Sequence, residues 1–495
     1  MTSQSTIKGV AVARGVVWRV VEVVGSEALA FGSFVLLARL LIPEDFGVVS
    51  QATLFILSAQ LVLATGLPEA LVQKEGVETK HFDTCFLANL VLGALTMVLL
   101  IALAPLVASA FSEPDLVWVL GWTAPALVVF SASRIILAKL RRELRFRGFF
   151  VVNVSATFAG AVTAIVMAMT GFGIWSLIAQ QWMCAIAGLI TGWAYCRWLP
   201  RMRFEWQHVR EMGAFSSFTV LEALLGYCTR RLDLFIIAIF WTATEVGYYF
   251  LANRLLFSAG MLTYYSICHL GLPFLARLTA DELAHREAIY RTLRLVSLSS
   301  LPTLVGLGVI APLLVPLLFG DAWLESIAPF QMLCALSIFY ALALISGQVL
   351  ISAGHAKDAM VLGGINAVLF LAAVTAAGPI GITAAATAGG LANMVAAPIY
   401  LRRLQRRFGI DLRRVLREQV PSWTATAVMA VVVLGLQHWL DGILAPAAIL
   451  VISIVAGAFV FAIIMVALAR AELAEIYSSF ASLGGSEVEQ APSNP

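Results

Sequence analysis

The 495-residue sequence is 61% hydrophobic and only 12% charged, with a mean hydropathy of +0.92. Soluble domains carry about 25% charged residues, so a soluble globular fold is excluded. The net charge of +3 comes from basic residues that flank apolar runs, which excludes nucleic acid as a partner.

Apolar runs of about 20 residues, the length that spans a hydrocarbon core, follow one another along the whole chain. About fourteen spans are expected, at 15–41, 46–71, 84–110, 116–138, 150–170, 173–195, 213–241, 246–275, 295–319, 326–352, 359–377, 380–401, 422–440 and 444–469. Met1 to Gly9 is polar, and no cleavable leader is expected ahead of the first span. The connections alternate in charge. Leu140 to Arg147 holds Arg141, Arg142, Arg145 and Arg147, whereas Pro43-Glu44-Asp45, Glu113-Pro114-Asp115, Glu245, Asp321 to Glu325 and Asp441 offer only carboxylates. Of the 32 Lys and Arg, only Arg39, Arg230, Arg231 and Arg254 fall away from the basic connections, termini and span ends. By the positive-inside rule this is a multi-pass protein with both termini in the cytoplasm. The inner loops 196–212, 276–294 and 402–421 are expected to form short basic amphipathic helices at the lipid surface. Ala471 to Pro495 turns polar and reads as a cytoplasmic tail.

The first and seventh spans share a register. Glu22 matches Glu222, Gly47 matches Gly247 and Ala52 matches Ala252, at a constant offset of 200. Gly66-Leu67-Pro68 then matches Gly271-Leu272-Pro273, and Gly173-Ile174 matches Gly381-Ile382 at slightly larger offsets. The expected fold is therefore all-α, with two six-helix lobes related by a pseudo-two-fold along the membrane normal. The expected boundaries are 1–200 for the N-terminal lobe, 201–410 for the C-terminal lobe, 411–470 for two additional helices and 471–495 for the tail.

Charges at bilayer depth cost about 2.5–3.5 kcal/mol each on insertion scales, so they mark function or pairing. On span seven, Thr219, Glu222, Gly226, Arg230 and Asp233 recur at helical spacing on one face. The matching stripe on span one is Arg19, Glu22, Ser26, Ala30 and Ser33. The two stripes are expected to line a central cavity. Arg230 lies about 16 Å below the outer end of its span and is the candidate contact for an anionic substrate group. Arg19, Glu22, Glu222, Ser26 and Ser33 complete the candidate binding set. Asp233 and Arg254 sit at similar depth on neighbouring antiparallel spans and are expected to form a structural ion pair. Arg39, close to Glu44 and Asp45, is a candidate gate or anchor contact. Pro68 and Pro273 fall in equivalent breaks and are candidate hinges. Glu22, Glu27, Glu69 and Glu222 are buried carboxylates that a coupling proton or sodium ion would suit.

The six cysteines are scattered without paired spacing and read as small buried hydrophobes. There is no phosphate-binding loop, no His-Glu-x-x-His and no Cys/His cluster, so no metal, cofactor or catalytic residue is expected.

Several segments carry a resemblance. Leu37-Ala38-Arg39-Leu40-Leu41-Ile42-Pro43-Glu44-Asp45-Phe46-Gly47 resembles the first outer turn of Wzx-like oligosaccharide flippases. Gly66 to Lys74, Gly171 to Leu177, Asp233 to Ile237, Gly247 to Arg254 and Phe319 to Trp323 resemble further pieces of that family, in order, across roughly residues 15–400. The resemblance implies the multidrug/oligosaccharidyl-lipid/polysaccharide flippase superfamily, with two lobes around a cationic cavity and alternating access. It implies transport, not catalysis: movement of polyprenyl-pyrophosphate-linked oligosaccharide repeat units across the bacterial inner membrane for surface polysaccharide synthesis. The implied partners are that lipid-linked substrate, membrane lipids, a polysaccharide polymerase and chain-length machinery, with the flippase itself a monomer. Within the superfamily the alternatives are a cation-coupled multidrug exporter and a peptidoglycan lipid II flippase. The chain departs from the lipid II branch in that Arg19 alone brings an arginine to the span-one stripe. A membrane-embedded glycan polymerase would need a sizeable outer loop, and the outer turns here are only a few residues long.

Overall fold

The computed structural model describes residues 25–201, 203–268, 275 and 281–468, apart from the side chains of 146, 214–218, 222, 225, 228–230 and 232. The chain is an all-α multi-pass membrane protein. Among the described residues, eleven segments are long and apolar enough to cross a membrane. The other expected spans, 15–41, 213–241 and 246–275, carry the intramembrane charges or run beyond the described residues. A total of about fourteen is consistent with the eleven.

In chain order come α1 (25–40), α2 (Pro43–Thr65), α3 (Leu67–Gln73), α4 (Thr79–Ala110), α5 (Leu116–Thr123), α6 (Ala126–Arg142), α7 (Phe146–Met169) and α8 (Trp175–Cys196). Then follow α9 (Trp206–Phe240), α10 (Ala243–Leu262), α11 (264–268), α12 (Glu282–Phe319), α13 (Ile327–Ser352), α14 (Ala356–Ala377), α15 (Ile382–Phe408), α16 (Leu412–Leu440) and α17 (Pro446–Leu468). Helix punctuation follows local chemistry. Pro43 starts α2, where its missing N–H costs nothing, and Glu44 and Asp45 in the first turn suit the helix dipole. Gly66 separates α2 from α3, with Pro68 in the first turn of the restarted helix. Span four, expected as one run over 116–138, is also broken: α5 and α6 are separated at Ala124–Pro125 by a proline interruption.

The inner loops differ from expectation. Residues 282–294 do not form a separate surface helix but continue into span nine as one 38-residue helix. Likewise 206–212 begin α9, and 402–408 and 412–421 extend α15 and α16. Prolonging an existing helix adds one bond per residue fixed, whereas a separate helix would need a new nucleus and two more ends to cap. At about 1.5 Å per residue α12 is about 57 Å long and must project well beyond a hydrocarbon core of about 30 Å.

Contacts divide the described chain into two compact units. The first holds the residues through Leu251 together with 318–326 and 374–385. In it, α7 and α8 approach closely through small residues, with Gly160 against Cys184 and Gly188 against Ala156, and the Ser155 and Thr191 hydroxyls 3.1 Å apart. Asn89, fully buried on α4, donates to the carbonyls of Ser131 (2.9 Å) and Leu63 (3.3 Å), tying α4 to α6 and to the end of α2. Leu63 lies in the last turn of α2, whose carbonyls have no further turn to serve them, so Asn89 satisfies backbone where the helix ladder ends.

The second unit holds 252–317, 327–373 and the chain from Ala386 onward. Ile289, Leu293, Val349, Leu404 and Tyr264 form its core. At one end, Asp358 on α14 receives hydrogen bonds from Arg403 and, at 2.7 Å, Arg407, both on α15. Arg414 on α16 reaches Glu287 at 2.8 Å and Glu418 at 2.6 Å. The α16–α17 hairpin packs on α12 through Met429, Val433 and Leu450 against Ile310.

Candidate functional site: a repeat-related seal and the membrane charges

The first turns of α2 and α10 cross at backbone distance. Gly47 lies on the Ala243 carbonyl group and Gly247 on that of Pro43. A Cβ on Gly47 would stand 3.0 Å from Ala243 Cα, and one on Gly247 would stand 2.9 Å from the Pro43 carbonyl carbon. Position 243 is the repeat partner of 43, and 247 of 47. The contact is therefore reciprocal, the signature of a local two-fold. Glycine is required here by space, since any side chain would strike backbone.

Aromatic rings fill the space around this crossing. Phe34 on α1 lies 5.5 Å from Phe46, 6.1 Å from Phe250 and 5.9 Å from Phe319, centroid to centroid. Trp323 is fully buried, edge-on to Phe46 at 5.5 Å and to Tyr248 at 6.4 Å. Backbone carbonyls take the polar edges. The Trp323 indole N–H donates to Ala38 (2.7 Å), the Arg39 Nε–H to Leu318 (2.7 Å) and the Trp241 indole N–H to Gly378 (2.6 Å). Leu318 belongs to the last turn of α12, where a guanidinium also complements the helix dipole. On the neighbouring turn, burial raises the Glu113 carboxyl above its usual range; a backbone bond at Asp115 opposes this, and the charges of Asp115 and Glu44 add to it. The segments 37–47, 247–254 and 319–323, which carry the family resemblance, thus contribute Ala38, Arg39, Phe46, Gly47, Gly247, Phe250, Phe319 and Trp323 to one seal.

The predicted site residues fall as follows. Arg19, Glu22 and Pro273 lie outside the described residues. Glu222 and Arg230 are on α9, but their side chains are outside the description. Ser26 is on α1 with its hydroxyl buried and without a hydrogen-bond partner among the described residues, and Ser33 turns back to the Ala30 carbonyl at 2.9 Å. Asp233 accepts a 2.8 Å hydrogen bond from the Tyr249 hydroxyl. The Arg254 guanidinium stands 5.9 Å from the Phe257 ring centroid. Arg39 is at the aromatic cluster around the crossing, and Pro68 follows the α2–α3 break.

Glu69 is drawn to the basic strip rather than to the two charge stripes: Arg141 pairs with it at 3.0 Å. Beside it, Arg142 donates to the carbonyls of Leu71, Val72 and Lys74. Lys74 pairs with Glu211 at the start of α9 (2.6 Å), and the rings of His81 and His208 lie 4.0 Å apart, tilted by 37°. These contacts anchor the start of α9 to α3 and α4. Neither the ring cluster nor the reciprocal crossing is legible in the sequence alone. Gly47 and Gly247 were visible as repeat partners, but a repeated glycine does not itself reveal what it touches.

The described residues thus form a bundle of membrane-length helices with a repeat-related crossing between α2 and α10. Residues 36–328 match the family described as "Polysaccharide biosynthesis protein". The succinoglycan biosynthesis transport protein ExoT of Rhizobium meliloti is 27% identical over 320 residues, 64% of each chain. The lipopolysaccharide biosynthesis protein WzxC of Escherichia coli is 23% identical over 375 residues, 74% of this chain and 76% of that one. Among solved structures, a lipid II flippase MurJ in an inward closed conformation superposes with a TM-score of 0.75 at 14% identity, covering 92% of this chain and all of that one. An inward-facing multidrug resistance MATE family transporter gives 0.62 at 14% identity, covering 78% and 94%. Both share the fold. The chain belongs to the polysaccharide biosynthesis protein family.

Proposed function

We propose that this protein is a flippase that carries polyprenyl-pyrophosphate-linked oligosaccharide repeat units across the bacterial inner membrane for surface polysaccharide synthesis. The observation that carries the reading is the outer seal. It joins repeat-related backbone segments through glycine contacts and ring packing, so it can part and re-form without breaking the fold. That is the property an alternating-access cycle requires of a gate. The relatives named for succinoglycan transport and lipopolysaccharide biosynthesis support the substrate class.

In this reading the lobes are 1–200 and 201–410, helices 411–470 are additional, and both termini and the 471–495 tail are cytoplasmic. The protein works as a monomer without catalysis and hands its cargo to a polymerase and chain-length machinery. Arg230 and Arg19 meet the pyrophosphate, because burying an uncompensated phosphate is the main barrier to crossing. Glu22, Glu222, Ser26 and Ser33 line the path, Asp233 and Arg254 pair, Arg39 serves the gate, and Pro68 and Pro273 serve as hinges.

The test is a deletion strain in which lipid extracts are analysed by mass spectrometry and surface glycan is measured in parallel. Accumulated polyprenyl-linked oligosaccharide with lost glycan supports the reading. Unchanged intermediates and glycan, in a strain without a second flippase, would oppose it, and new drug sensitivity would point to a multidrug exporter. Arg230→Ala, expressed at normal level, is expected to lower export; unchanged export would remove Arg230 from the mechanism.

A further inference from the structure

Arg134 sits on α6 eight residues before Arg142, about 12 Å deeper along the helix than the basic strip. Its guanidinium carbon lies 4.1 Å from the centroid of the Phe130 ring, one turn towards the start of the helix. Because α6 runs from an acidic outer turn to the basic inner strip, Phe130 is the deeper residue. The side chain therefore points into the membrane and not down to the inner interface, as helical side chains lean towards the N-terminus of their helix. Snorkelling is excluded by that direction. Among the described residues no carboxylate pairs with Arg134, and its Nε is buried without a hydrogen bond. Its Nη atoms are not sealed off with the Nε, and the residue as a whole is only partly buried.

Most of the strip is engaged, and Arg147 is exposed at the start of α7. Arg142 is spent on three backbone carbonyls, Arg141 on Glu69, and Arg145 on the Tyr195 carbonyl and Glu143. Lys139 stands 4.8 Å from the Trp198 ring centroid. Arg134 and Lys139 are the cations of this helix without an oxygen partner among the described residues, and Arg134 is the deeper of the two, five residues further from the basic end. An aromatic face holds a guanidinium in place by cation–π attraction while leaving its edge free. A planar fork of N–H donors fixed this way matches phosphate oxygens. A charge at this depth that lacks a protein partner calls for one from a ligand.

We propose that Arg134, braced on Phe130, binds the phosphate or diphosphate head of an amphiphile in the inner half of the membrane, and that this amphiphile is the lipid-linked cargo on its way from the inner face. The assignment to cargo rests on the flippase reading above; an anionic phospholipid offers the same chemistry. The full-length protein in detergent micelles would be titrated with farnesyl pyrophosphate, with farnesol as the uncharged control, and retained phosphatidylglycerol would be counted by native mass spectrometry. Arg134→Gln is expected to weaken farnesyl pyrophosphate binding at least tenfold and to leave farnesol binding unchanged. Phe130→Leu, which keeps the charge but removes the brace, is expected to fall between. Equal pyrophosphate affinity in wild type and Arg134→Gln overturns the proposal. So does loss of retained phosphatidylglycerol with unchanged pyrophosphate binding, which would make this a phospholipid site. If Arg134→Gln does not accumulate, Arg134→Lys decides: retained charge without the fork is expected to bind more weakly, and wild-type affinity overturns the proposal. In the deletion strain, full complementation by Arg134→Gln would sink this inference alone, whereas normal glycan in the deletion strain itself would sink the flippase reading.

Discussion

Gly47→Ala is expected to hold the outer seal open. The added Cβ would stand 3.0 Å from Ala243 Cα, with the carbonyl carbon and oxygen nearer still. Carbon atoms rest comfortably at about 3.5–4.0 Å, so α2 and α10 must move apart by at least about 0.5–1 Å. The obstacle is backbone, which has no rotamer by which to yield. Overpacking of this kind costs about 1–3 kcal/mol, and a tenfold change in population corresponds to about 1.4 kcal/mol. The sealed state should therefore lose between about fivefold and a hundredfold in population. Ser33→Cys supplies the reporter, since position 33 is buried beside Phe34 in the sealed state. Its labelling by a membrane-impermeant maleimide from outside the cell should rise at least about fivefold in the Gly47→Ala background. Gly32→Ala is the control, because a Cβ there meets nothing within 4 Å. Gly247→Ala should act like Gly47→Ala, and the double variant should show less than the sum of the two effects, since both strain one crossing. Wild-type labelling and wild-type export in Gly47→Ala would refute the argument.

Three more predictions follow from the same geometry. Trp323→Phe keeps most of the ring packing but leaves the Ala38 carbonyl without its donor; it should weaken the seal by about 1 kcal/mol and raise labelling at position 33 several-fold. Asn89→Ala removes donors to two buried carbonyls on different helices and should lower stability by about 2–4 kcal/mol, read as a fall in melting temperature of the purified protein, whereas an unchanged melt would mean that α2 and α6 hold their places without it. Asp358→Asn strips two arginines of their partner at one end of α14 and α15 and should also lower the melting temperature, with labelling at position 33 unchanged because the clamp belongs to the other compact unit.

Much of the fold was legible because a membrane leaves few options. A long apolar run must be helical, and loop charge then orders the runs. What sequence could not give was which features break or extend a helix. Pro125 divides span four, whereas Pro302, Pro312 and Pro316 all lie inside the unbroken α12. Whether a proline breaks a helix depends on neighbours that can satisfy the freed carbonyl, and those neighbours are distant in sequence. The charge stripes were readable from spacing, but spacing does not choose partners. Glu69 was grouped with the buried carboxylates and instead meets Arg141, 72 residues away. Arg134 was counted with the inner basic residues, and only the direction of its side chain, towards Phe130, sets it apart. Gly47 and Gly247 show the reverse case: the sequence pairs them at an offset of 200, and the structure places both at one reciprocal crossing.

The most direct test of the central claim is reconstitution. Purified protein in liposomes would be given a fluorescent polyprenyl-pyrophosphate-linked oligosaccharide, and its exposure to an impermeant quencher would be followed in time. The flippase account predicts rapid movement from the protected to the quenchable leaflet, slowed in Arg230→Ala and absent in protein-free vesicles. Movement no faster than in protein-free vesicles, from protein whose melting curve shows it folded, would contradict it.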